Sequence, residues 1–145
     1  MILVILLITS AFMTGVYWLL QIVDYPLFLK CNKDDFNEHY IFHSKNSVIV
    51  MLLPMLIDLV FSLIYLMNYS QAINSFMPVL NLLLTITIMY AVFFISYPIQ
   101  EKLYQDGYNE EEIKKYIKTN WIRTISWSIK VFVLFYCLTG SYVIS

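Results

Sequence analysis

Two histidines on one short polar stretch, two charges stranded inside apolar runs, and a group of amides, phenols and one arginine carry most of the chemistry this chain can do. His39 and His43 stand in an H-x3-H spacing, which on a helix puts both imidazoles on one face, where they can ligate one metal or exchange protons near neutral pH. Two ligands are not a zinc site, which takes three or four from protein. Bis-histidine haem binding needs axial ligands from opposite sides, which one helix does not supply. A transition metal, a catalytic base and a structural pair bonded to its neighbours are therefore all open for His39 and His43.

Asp58 and Lys130 are the charges inside otherwise apolar segments. Ionisable groups in such places are costly and by default suggest function. At 1.5 Å per helical residue their levels differ by roughly 6 Å, within reach of a lysine stem. A structural ion pair and a functional carboxylate at Asp58 are equally consistent with that. Gln21, Tyr25, Tyr97, Gln100, Asn120 and Arg123 cluster near the boundary of the apolar segments, close to the histidines, and are candidates for binding a substrate. Trp121, Trp127 and Tyr116 read more simply as an interfacial aromatic belt and packing.

The elements that must position these groups follow from composition. Of 145 residues, 60% are hydrophobic and 13% charged, and mean hydropathy is +0.69. Soluble domains carry roughly 25% charged residues, so lipid must act as much of the solvent. Four segments are long and apolar enough to span a bilayer, which takes ~20 residues: about 2–23, 46–67, 76–99 and 124–144. They make a single integral membrane domain over residues 1–145. The first segment lacks a basic leader and a small-x-small cleavage site, so it reads as a span and not as a removed signal. Cys31 and Cys137 are set too far apart by this layout to bridge. Net charge is −1, with no basic excess to suggest nucleic acid.

Lysine and arginine gather after spans 1 and 3 (Lys30, Lys33, Lys45; Lys102, Lys114, Lys115, Lys118, Arg123), while the connection from Asn68 to Ser75 and both termini have none. Positive charge marks the cytoplasmic face. The expected protein is thus multi-pass in the cell membrane with both termini outside. The formal glycosylation sequon Asn68-Tyr69-Ser70 abuts the membrane and is read as without consequence.

The chain also passes through one series of events twice. Spans 1 and 3 end at Tyr25-Pro26 and Tyr97-Pro98, where proline should take the chain out of the helix. A polar stretch follows, then a helix start that Asp34 or Asp35 can cap in the first half and Asn109 in the second, where Glu110, Glu111 and Glu112 suit the helix dipole. Each second helix should begin roughly ten residues, on the order of 15 Å, before the bilayer. Phe36, His39, Tyr40 and His43 form one stripe of it, and Ile113, Tyr116, Ile117 and Asn120 the matching stripe, so both histidines are expected to face the bundle. The fold class is all-α: a four-transmembrane-helix bundle of two similar two-helix halves, with helices 2 and 4 extended into the cytoplasm. Pro54 should kink span 2, and Asn81, Thr85 and Thr87 look like ordinary interhelical hydrogen-bonding residues.

At Gln21-x3-Tyr25-Pro26, His39-x3-His43, Pro54-x3-Asp58 and Asn120-Trp121-x-Arg123-Thr124, the chain resembles small bacterial four-helix membrane proteins of unknown function, themselves distantly similar to the anthrone-oxygenase-like proteins. The likeness spans most of the chain on short, degenerate motifs. Relatives often have Glu at the position of Asp58, His near Gln100 and Arg near Lys130, so charge is kept at two positions and a ligand is lost at the third. The resemblance implies a polar pocket acting on an apolar or quinone-like compound. Three functions are carried forward: an oxidoreductase-like enzyme on a lipophilic molecule, using His39, His43 and Asp58; a non-catalytic accessory or assembly subunit; and a small transporter working as an oligomer. The partners they imply are the lipid bilayer, a lipophilic small molecule and, for the last, further copies of the chain.

Overall fold

A computed structural model describes residues 1–68 and 76–143, with side chains through residue 140. Four long helices make up the described chain: α1 (Ile2–Phe28), α2 (Phe36–Met67), α3 (Phe76–Asp106) and α4 (Glu110–Val143). Each is long and apolar enough to cross a membrane. A helix satisfies its own backbone groups, which a segment in hydrocarbon must do. Outward-facing Ile8, Phe12, Leu53, Val60, Leu83, Ile86 and Phe132 are exposed in a way only an apolar solvent makes favourable. The result is an all-α four-helix bundle in which α1 and α3 each pack against both α2 and α4.

The Tyr-Pro dipeptides do not end their helices. Tyr25–Phe28 and Tyr97–Asp106 continue as α-helix, and each is preceded by a π-helical turn, Leu20–Asp24 in α1 and Ala91–Ser96 in α3. Proline in a helix clashes with the carbonyl four residues back. For Pro26 and Pro98 those residues are Ile22 and Phe94, both inside the π turns. Widening the turn at that point is the physical reason the helices run on. Such turns occur singly and often border functional sites.

Helices α2 and α4 start at Phe36 and Glu110, next to the caps read from the sequence, and run 32 and 34 residues. Asn109 caps α4, its Oδ1 accepting the backbone N–H groups of Glu111 and Glu112 at 3.0 and 3.1 Å. Asp35 precedes α2 without a side-chain capping bond. Gly107, at φ 79°, makes the turn between α3 and α4, where a Cβ would meet Asn37 Oδ1 at 3.0 Å. That turn therefore lies against the start of α2. Tyr69 and Ser70 of the sequon fall outside the described residues, and no disulfide joins Cys31 to Cys137.

The bundle interior is layered. A small apolar cluster of Leu6, Tyr65 and Leu134 lies toward one end. A larger one, from Met13 and Ile88 to Phe36 and Ile113, fills the end that carries the lysines. Asp58 and Lys130 are buried between the two.

Candidate functional site

Asp58 and Lys130 meet, with Lys130 Nζ in direct contact with Asp58 Oδ2. Asp58 Oδ1 also accepts Ser10 Oγ at 3.2 Å, and Oδ2 accepts Thr85 Oγ1 at 3.2 Å. Lys130 Nζ also contacts Thr85 Oγ1 and donates to Ser62 Oγ at 3.2 Å, while Asn81 Nδ2 donates to Ser62 Oγ at 3.0 Å. Ser10, Asp58, Thr85 and Lys130 come one from each helix. The ammonium and the carboxylate each have several partners, which is what makes burial of an ion pair tolerable. Asp58 does not line the cavity described next.

That cavity lies two helical turns along α4 from Lys130, about 10 Å at 1.5 Å per residue. It measures about 200 Å³. Its inner wall is polar: Tyr17, Tyr25, Tyr40, Gln100, Tyr116 and Arg123. Met51, Met55 and Val92 add apolar lining, and Val48, Leu52, Phe93 and Tyr97 both line the cavity and are about half exposed on the outer surface of α2 and α3. The mouth therefore opens sideways between α2 and α3.

The phenols form a directed chain. Gln100 Nε2 donates to the Tyr116 hydroxyl, which donates to the Tyr25 hydroxyl at 3.1 Å. Tyr40 is tied to the same helix through its hydroxyl, donated to the Gln100 carbonyl at 3.3 Å. Tyr25 accepts from Tyr116 and finds no acceptor for its own O–H among the described residues. Arg123 is 2% exposed, and its guanidinium lies over the rings of Tyr17 and Tyr116, 5.2 and 5.5 Å from their centroids. It makes no ion pair among the described residues. Its Nε and Nη2 have no hydrogen-bond partner.

His43 stands at the edge of the cavity, its Nε2 3.6 Å from Asp24 Oδ2 and its ring against Tyr25 and Phe28. Ser47 Oγ is 3.4 Å from its ring nitrogens. His39, expected to face the bundle beside it, is exposed and lines a shallow surface groove with Asp24, Cys31 and His43. Buried Phe36 and Tyr40 occupy the bundle-facing side of α2, and the stripe is too wide for all four residues to be inside. Among the described residues no three His, Cys, Asp or Glu side chains are placed to hold a metal ion.

Of the residues singled out by sequence, the cavity brings together Tyr25, His43, Tyr97, Gln100 and Arg123. Gln21 and Asn120 lie apart from it, bonded to each other at 2.7 Å, with Gln21 Nε2 on the Ile117 carbonyl at 3.2 Å; they join α1 to α4. Tyr17 and Tyr40 enter the site without having been site candidates, and of the three aromatics read as belt and packing Tyr116 and Trp127 are buried while Trp121 is exposed. Tyr40 was on the bundle-facing stripe; Tyr17, four residues before Gln21 in a span without charge, carried no signal. No family model matches the chain, and comparison with curated proteins and with solved structures found no match to either.

Proposed function

We propose that this is a multi-pass membrane protein whose laterally open cavity binds a lipophilic small molecule, drawn from the bilayer and held at its polar end by Arg123 and Tyr25. The observation that carries the reading is the cavity's asymmetry: polar, buried donors at the inner wall and half-exposed Val48, Leu52 and Phe93 at the mouth. Sites for small molecules are concave, mostly apolar and oriented by a few polar groups. His43 gives the cavity an imidazole whose pKa burial lowers from its ordinary value, with Asp24 opposing the shift, so that at neutral pH it stands as an unprotonated base, the minimum for acid–base chemistry on the bound molecule. The resemblance to the anthrone-oxygenase-like proteins, with its expectation of an apolar or quinone-like substrate, points the same way.

The one-sided lysines support a cytoplasmic location for this end of the bundle, with both termini outside. The paired π turns before Tyr25-Pro26 and Tyr97-Pro98 support descent of the two halves from one two-helix unit. Native mass spectrometry of the purified protein tests the binding. Wild type should carry a lipophilic adduct that Val92→Trp, which fills the cavity, loses. An adduct that survives the filled cavity, or none in either protein, would overturn the reading. Orientation is tested by single cysteines at Ser70 and Lys115 in a background free of Cys31 and Cys137. Impermeant maleimide on intact cells should label the first and spare the second.

A further inference from the structure

Resting on that reading, we propose that the molecule is a single-chain amphiphile with a carboxylate head, paired with the charge of the Arg123 guanidinium, with its alkyl chain leaving between α2 and α3. Two features of the cavity carry this beyond a general preference for lipophilic compounds.

The first is charge. A guanidinium stays charged at any physiological pH, and Arg123 is 2% exposed without a carboxylate partner among the described residues. Buried charges are paired or coordinate something, because an isolated one is expensive. Two aromatic faces offset part of that cost, but they bring no negative charge. One missing negative charge is what a carboxylate supplies. The nearest other buried cation, Lys130, already has Asp58.

The second is the phenol chain, which runs from Gln100 through Tyr116 and ends on a Tyr25 O–H with no acceptor among the described residues. An anionic oxygen can accept it; a hydroxyl head would bring a competing donor.

Size agrees. About 200 Å³ holds a head and a short stretch of chain, not a whole lipid. The rest of the chain must pass the exposed Val48, Leu52 and Phe93 into the surrounding hydrocarbon.

Equilibrium binding of tritiated laurate to the purified full-length protein tests the head group, with unlabelled laurate, lauryl alcohol and lauryl phosphate as competitors. Laurate should bind saturably, and the alcohol should compete at least ~tenfold more weakly. Arg123→Met should lose laurate binding yet still take the alcohol, whereas Arg123→Lys, which keeps the charge without the fork, should fall between. Equal competition by alcohol and acid in wild type overturns the carboxylate while leaving the cavity reading standing. Tighter competition by the phosphate replaces the carboxylate with a phosphate head and overturns the assignment. Saturable binding of none of the three overturns it together with the cavity reading. The wild-type comparison of acid with alcohol decides the matter even if the Arg123 variants fail to fold.

Discussion

Lys130 and Arg123 are two buried cations on one face of one helix, and they are treated in opposite ways. Lys130 is closed: a carboxylate and two hydroxyls surround it, and the same atoms tie together all four helices. Arg123 is open: two stacked rings, no counter-charge among the described residues, two unmet N–H groups and a cavity beside it. A buried charge on an apolar helix is therefore not by itself the mark of a site. What separates them is whether the protein itself completes the hydrogen bonding.

The largest effect should come from breaking the closed site. Removing one member of a fully buried pair leaves a charge without compensation and costs roughly 3–5 kcal/mol. Asp58→Asn and Lys130→Met should each lower the melting temperature in detergent substantially, and the double variant should recover part of the loss. Strictly additive losses would mean the two do not interact, and the closed-versus-open distinction would fail at its firmer end.

The open site should respond differently to the analogous change. In ligand-free protein, Arg123→Met removes an unpaired buried charge but also its contacts with Tyr17 and Tyr116, worth about 0.5–2 kcal/mol. The two effects oppose, so stability should stay within about 1 kcal/mol of wild type. A collapse as severe as that of Lys130→Met would mean that Arg123 is a structural cation after all.

How much of this was legible beforehand varies with the kind of signal. Apolar length and the clustering of lysines make the four helices readable, because lipid imposes one solution on the backbone. Asp58 and Lys130 were readable as partners since nothing else charged lies in the spans. The fate of Tyr25-Pro26 and Tyr97-Pro98 was not. Local preference favours a break there, and the π turns that avoid it depend on backbone geometry that no residue type announces. The site was half legible. Arg123, Tyr25 and Gln100 stood out as polar groups near a boundary, but Tyr17 lies in a span with no charged neighbour. Asn120 and Gln21 looked equally good and satisfy each other instead, apart from the unmet Asn120 Oδ1. Which polar groups pair and which stay open is decided by side-chain geometry across helices, and a sequence pattern does not carry it.

The smallest effects belong to the histidines, where the same distinction can be tested within one motif. His43 is half-buried, edge-on to Tyr25 and Phe28 and paired with Asp24. His39, one turn away, is exposed and faces the groove outside. Their spacing suggests a joint role, yet the geometry assigns the cavity to one of them. His43→Ala should cost about 1 kcal/mol through lost packing and the lost Asp24 contact. It should also alter the pH dependence of ligand binding, since it removes the histidine that lines the cavity. His39→Ala should stay within about 0.5 kcal/mol of wild type, as exposed substitutions do, with the binding profile unchanged. Melting temperatures and pH-resolved titrations of the two variants, side by side, give the comparison. Equal losses of binding in both would restore the H-x3-H pair as a unit and send the search for its missing ligands to Asp24 and Cys31, the groups that share the outer groove with both rings.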